Sequence, residues 1–236
     1  MIRPRLAAPA MLVAAALLLP GAAAAQDDEE EPPLPYERLI GAIRVHSAQD
    51  SMGNGALAVA MKAYETGRFD EAVGQLQEFV RLYPRNLALN EALETILLIR
   101  GNREFKDEPL RIYAAAEGAR RAGHPDSAAA FAKDGLARFP GARIRDHWNY
   151  LLARLARDRG DHVAAIGFAL AVADTAVHSR LAPYALKLAA EETLAAGTEP
   201  ARALRYYQEM LERYPDSPLA PESRTRALEL RKKFQL

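Results

Sequence analysis

The chain has no cysteine in its 236 residues. Disulfides, thiol nucleophiles, Cys-ligated zinc and lipidation of an N-terminal cysteine are therefore excluded. Aromatic residues make up only 7% of the sequence, and alanine is abundant, a balance that favours closely packed helices over a sheet sandwich. Net charge is also missing: 31 basic residues face 31 acidic ones. No global basic field exists to draw in nucleic acid, and none is expected as a partner. No segment alternates apolar and polar residues between turn dipeptides, as strands would. The five histidines, His46, His124, His147, His162 and His178, include no pair at helical metal-ligand spacing. There is no glycine-rich phosphate loop, and Ser217 and Ser223 lack the glycine context of a hydrolase elbow. Asp146 and His147 are neighbours in sequence and are not expected to face each other on a helix. Neither catalytic residues, nor a cofactor, nor a metal are expected.

What is present begins with an export signal over the first 25 residues. Arg3 and Arg5 form its charged start, Met11 to Leu19 its apolar run, and Ala23-Ala24-Ala25 the small residues before a cut. Cleavage leaves 29 basic and 31 acidic residues and no membrane insertion. The expected location is the periplasm or the exterior; an uncleaved N-terminal anchor is the alternative, since Leu6 to Ala25 carries no charge. Residues 26–50 then read as an acidic, proline-rich tail, Asp27 to Glu31 followed by Pro32, Pro33 and Pro35, with a weak helix over Tyr36 to His46.

From residue 51 onward the pattern is helical, with apolar residues at three- and four-residue steps: Leu57, Met61 and Tyr64, then Ala72, Val73, Leu76, Phe79 and Val80. Further helices are predicted near 87–100, 108–122, 125–138, 145–159, 162–175, 181–196, 200–213 and 218–234. Glycines 67, 101, 123, 160 and 197 fit the left-handed position after a helix end. Asp161 and Thr198 read as N-caps, and Pro109, Pro125 and Pro200 as first-turn prolines. Four turns, Gly67–Ala72, Gly123–Ala128, Gly160–Ala165 and Gly197–Ala203, repeat the same scheme. Three of the helices they open stop at an aromatic–proline pair: Tyr83-Pro84, Phe139-Pro140 and Tyr214-Pro215. Such recurrence predicts an all-α solenoid of stacked helix–turn–helix units. Small residues are needed where paired helices cross, and Ala60, Ala72, Ala116, Ala128, Ala153 and Ala165 are the candidates. Trp148 is expected in the core, with its N–H on a carbonyl.

On these residues the chain resembles the tetratricopeptide repeat family, in its bacterial periplasmic or cell-envelope form. The segment Tyr64 to Ala72 is similar to that family's helix–turn–helix crossing. The marker alanines depart from the family in their spacing, successive ones standing 56, 37 and 38 positions apart. The long gap holds an extra helix near 87–100, either half of a degenerate repeat or a break in the array.

The resemblance implies that the first helix of each pair lines a concave groove. Carried over by position, the partner-binding residues are Tyr64, Tyr113, Arg120, Arg121, His147, Tyr150, Arg154, Arg157, Tyr184 and Lys187. The implied function is a protein–protein interaction scaffold, and the mix of Arg and Tyr implies an acidic or C-terminal peptide as partner. Three other readings stand beside it. Arg154, Arg157 and Arg159 could be a solvated face paired with Asp158 and Asp161. The solenoid could carry an envelope or glycan-processing enzyme, or it could organise structure by self-association.

Overall fold

The computed structural model describes residues 36–235 apart from Val177 and Thr198, with side chains described from Asp50 onward. The export signal, the acidic tail and the Thr198 cap lie outside the described residues. Contacts divide the chain into Met1–Ala42 and Ile43–Leu236, and the solenoid architecture is that of the second unit. Every described element is helical: α1 (Tyr36–Glu65), α2 (Phe69–Leu82), α3 (Leu89–Gly101), a short 3₁₀ turn (Phe105–Asp107), α4 (Glu108–Arg121), α5 (Pro125–Arg138), α6 (Arg145–Asp158), α7 (His162–Thr175), α8 (Ala182–Ala195), α9 (Pro200–Arg213) and α10 (Ala220–Phe234). Neighbouring helices pack in sequence order as an all-α solenoid. The predicted weak helix over Tyr36 to His46 is the start of α1.

Two kinds of connection alternate along the stack. The turns inside the pairs α1–α2, α4–α5, α6–α7 and α8–α9 each hold one glycine, at φ of 74°, 78°, 74° and 73° for Gly67, Gly123, Gly160 and Gly197. A side chain there would meet the following carbonyl, so glycine sets where each first helix ends. Asp161 adds the predicted cap, its carboxylate accepting from the Ala164 N–H at 3.0 Å. Gly101 does not share this role: it is the last residue of α3 and lies outside the left-handed region. Positive φ falls instead on Phe105, Lys106 and Asp107, where the chain bends into α4.

The second kind joins one pair to the next, after α2, α5, α7 and α9. In each, one N–H bonds the carbonyl three residues back, and its own carbonyl accepts from three residues on. Asn86, Ala142, Ser179 and Ser217 are these pivots, with all eight bonds between 2.8 and 3.1 Å. Three pivots also use their side chains, Asn86 toward the Ala88 N–H, Ser179 toward Leu181 and Ser217 toward Leu219. Proline after Tyr83, Phe139 and Tyr214 blocks further helix and favours this bend.

The joints decide the status of the extra helix. α3 opens at Asn86 as α6, α8 and α10 open at theirs, so it is the first helix of a pair. No second helix follows it; the chain turns directly into α4, which is again a first helix. The 56-residue spacing therefore marks a unit that has lost its second half. The array is not broken there, because Ala92, Ile96 and Ile99 belong to the same buried cluster as Leu57, Leu110 and Trp148.

The crossing slot follows the same logic. Counted back from each turn glycine, it is Ala60, Ala116, Ala153 and Ala190, all at 0% exposure. Opposite them Ala72, Ala128, Ala165 and Ala203 are equally buried. In α3 and α10, counted from the joint, the slot holds Leu97 and Leu228, exposed to 57% and 59%. Alanine stands where a second helix crosses closely, and leucine where none of the described helices does.

Trp148 is fully buried on α6. Its place is made by Gly135 on α5: a Cβ built there would lie 2.4 Å from the indole. The expected hydrogen bond of its N–H is not formed; Trp148 Nε1 has no partner among the described residues.

Candidate functional site

The predicted groove residues all sit on first helices, α1, α4, α6 and α8, but they divide sharply by environment. Tyr64 is 1% exposed, with its ring 6.0 Å from Phe69. Its hydroxyl has no hydrogen-bond partner among the described residues, and burial raises its pKa. It is a core residue at the end of α1, not a free surface for a ligand.

The charged members of the site are mostly occupied. Arg121 reaches Glu65 at 3.1 Å, Glu91 at 3.3 Å and Glu117 at 3.9 Å. Arg120 pairs with Glu117 at 3.2 Å. Lys187 lies between Glu191 at 2.6 Å and Glu222 at 3.2 Å, which links α8 to α10. Arg157 pairs with Asp158 at 3.3 Å in an exposed contact of little energetic weight. Arg159 turns instead to Asp126 at 2.5 Å, and Asp161 is the helix cap. The alternative of a self-paired arginine face thus holds for Arg157 and takes other partners for Arg159.

Arg154 is different. It is half-buried on α6, and no carboxylate lies within ion-pair distance of it among the described residues. Its charge acts on two phenols, Tyr113 on α4 and Tyr150 on its own helix. Burial pushes the Tyr113 hydroxyl well above its ordinary range, with Glu117 and Tyr64 adding to the effect and Arg154 and Arg120 opposing it. Burial likewise raises Tyr150, again opposed by Arg154 and Arg157. Both phenols therefore stay protonated and able to donate. Tyr184 on α8, partly exposed, also acts on Tyr150. Tyr113 on α4 and Tyr150 and Arg154, one turn apart on α6, thus form an electrostatically linked strip of first-helix residues. Arg120 acts in the same sense on Tyr113, and Arg157 on Tyr150.

His147 belongs to the same strip and corrects the expectation that it and Asp146 stay apart. Its ring packs edge-on against Tyr113, with centroids 5.5 Å apart, and its Nδ1 lies 2.7 Å from Asp146 Oδ1. Asp146 sits in the first turn of α6 and folds back to accept the His147 N–H at 2.8 Å as well, an N–H shared with the Ile144 carbonyl at 3.0 Å. Its other oxygen accepts from Ser179 at the next joint. Burial works to raise the Asp146 carboxyl, but the bonds from His147 and Ser179 overcome it and hold it below the usual range. His147 and Ser179 bind the same carboxylate from opposite sides and not each other. The cluster orients a ring and a joint; it has no relay to a nucleophile. A similar pair, His162 Nδ1 and Glu192 at 2.7 Å, ties α7 to α8.

Sequence reasoning missed two residues that shape the site. Glu91, on the unpaired helix α3, takes one of Arg121's bonds, and Ser179 holds Asp146. Ser179's place three residues before a helix start was readable; Glu91's partner, 30 residues away, was not. Among the described residues no three His, Asp or Glu side chains gather as metal ligands would, and no helix is long and apolar enough to cross a membrane. No protein-family model matches the chain, and no curated protein is similar to it.

Proposed function

We propose that this chain is an exported scaffold of the tetratricopeptide type that holds partner polypeptides along its first helices. The observation that carries the reading is the state of Arg154. Every other cation of the site has its carboxylate; Arg154 is half-buried on α6, its charge acts on two protonated tyrosines, and it has no carboxylate in reach among the described residues. A guanidinium withdrawn from water in this way gains most from a planar, charged acceptor. Tyr113 and Tyr150 offer flat area that loses little entropy on contact. The partner is accordingly a segment with an aspartate, glutamate or C-terminal carboxylate. Export rests on the charged, apolar and small-residue stretches of the first 25 residues.

The test is Arg154→Gln, which keeps polarity and size but removes the charge. Binding of an acidic envelope partner should weaken about tenfold or more, since a desolvated charge pair is lost. Arg157→Gln, at an exposed and already paired position, should change it by no more than about twofold. Equal binding by wild type and Arg154→Gln would contradict the reading.

A further inference from the structure

A pocket of about 370 Å³ opens where the first helices α1, α3 and α4 meet. Its floor is apolar: Leu57, Ala58 and Met61 of α1. Leu57 and Met61 are nearly covered, whereas Ala58 is open. Its rim is charged, and there Glu65 and Glu91 both bind Arg121. A charged side chain entering here would have to break that network or stay unpaired, at a cost an uncharged one avoids. Lys62 is the exception at the rim. It is exposed, with no carboxylate within ion-pair distance among the described residues.

We propose that this pocket is an anchor site for an uncharged, apolar side chain of leucine or phenylalanine type on the bound polypeptide, with a nearby carboxylate of the same segment on Lys62. A methionine on the floor adapts to either shape. A network of charges links the pocket to the strip. Arg121 also reaches Glu117 at 3.9 Å, and Glu117 pairs with Arg120 and acts on Tyr113. In this proposal one extended segment places an apolar residue in the pocket and an acid on Arg154. That the occupant is a polypeptide rests on the proposed function; the pocket's preference for an apolar group beside a carboxylate does not.

The experiment uses the exported chain with ¹³C-methyl methionine, and Met61 assigned through Met61→Leu. N-acetyl-L-leucine should shift the Met61 methyl signal saturably, while N-acetylglycine, which has the carboxylate alone, should not. N-acetyl-L-leucinamide should bind about fivefold more weakly, the worth of one exposed ion pair, and Lys62→Gln should erase that difference. Ala58→Trp, at an open position, should fill the pocket and abolish the shift without unfolding the helix. A Met61 signal unmoved by N-acetyl-L-leucine would overturn the proposal. So would one that moves only in step with Met210, buried on α9, or a shift that survives Ala58→Trp. Arg154→Gln should leave this titration unchanged, so failure of the strip and failure of the pocket are read separately.

Discussion

Trp148→Ala should cost about 3–5 kcal/mol, the largest loss expected from any single truncation in the chain. Trp148 is the largest fully buried side chain, and it joins α6 to α5 through contact with Gly135. Gly135→Ala should also destabilise, although alanine is the better helix former by about 1 kcal/mol. The added methyl would lie 2.4 Å from an indole that is enclosed on all sides. Overpacking of that kind costs about 1–3 kcal/mol, so steric strain outweighs propensity. The two changes should be strongly coupled. In a Trp148→Ala background the alanine at 135 enters empty space, and its effect should change sign. Denaturant midpoints of the two single variants and the double variant check this. Additive losses would mean that the indole does not lie over Gly135.

The second large effect is a contrast between two positions that are equivalent in the repeat. Ala153→Leu should cost about 1–3 kcal/mol by forcing α6 and α7 apart. Leu97→Ala, at the same slot of α3, should fall within about 0.5 kcal/mol of wild type, since no described helix crosses there. Ala128→Leu should behave as Ala153→Leu does. Thermal melts of the three variants are sufficient. A loss at Leu97 as large as that at Ala153 would show that α3 has a covering helix after all.

Much of this architecture was legible in the sequence because its signals are local. Glycine at 67, 123, 160 and 197 marks turns by a backbone requirement that no neighbour can alter. Aromatic–proline pairs mark joints for the same kind of reason. Gly101 misled because a glycine can also simply end a helix, and nothing local separates the two cases. α3 was visible as a helix, but its lack of a partner needed the joint geometry, which shows that α4 begins a new pair. The site was legible in part. Periodicity placed Tyr113, His147, Tyr150 and Arg154 on helices, and the family resemblance implied that these are first helices facing a groove. It could not tell that Tyr64 is sealed in the core or that Arg121 is already held by three carboxylates. The second of these depends on residues 30 and 56 positions from Arg121, Glu91 and Glu65. The Asp146–His147 contact was missed because helix spacing rules apply to the interior of a helix, and Asp146 sits in its first turn.

The central claim is that a partner polypeptide lies on the first helices, over Tyr150 and Arg154. It is tested most directly by a photo-crosslinking amino acid placed at Tyr150 in the living cell, beside a control at Val163, which is exposed on the second helix α7. The account predicts a discrete crosslinked protein from position 150, diminished by Arg154→Gln and absent from position 163. Crosslinking from 163 alone, or from 150 with full indifference to Arg154→Gln, would contradict it.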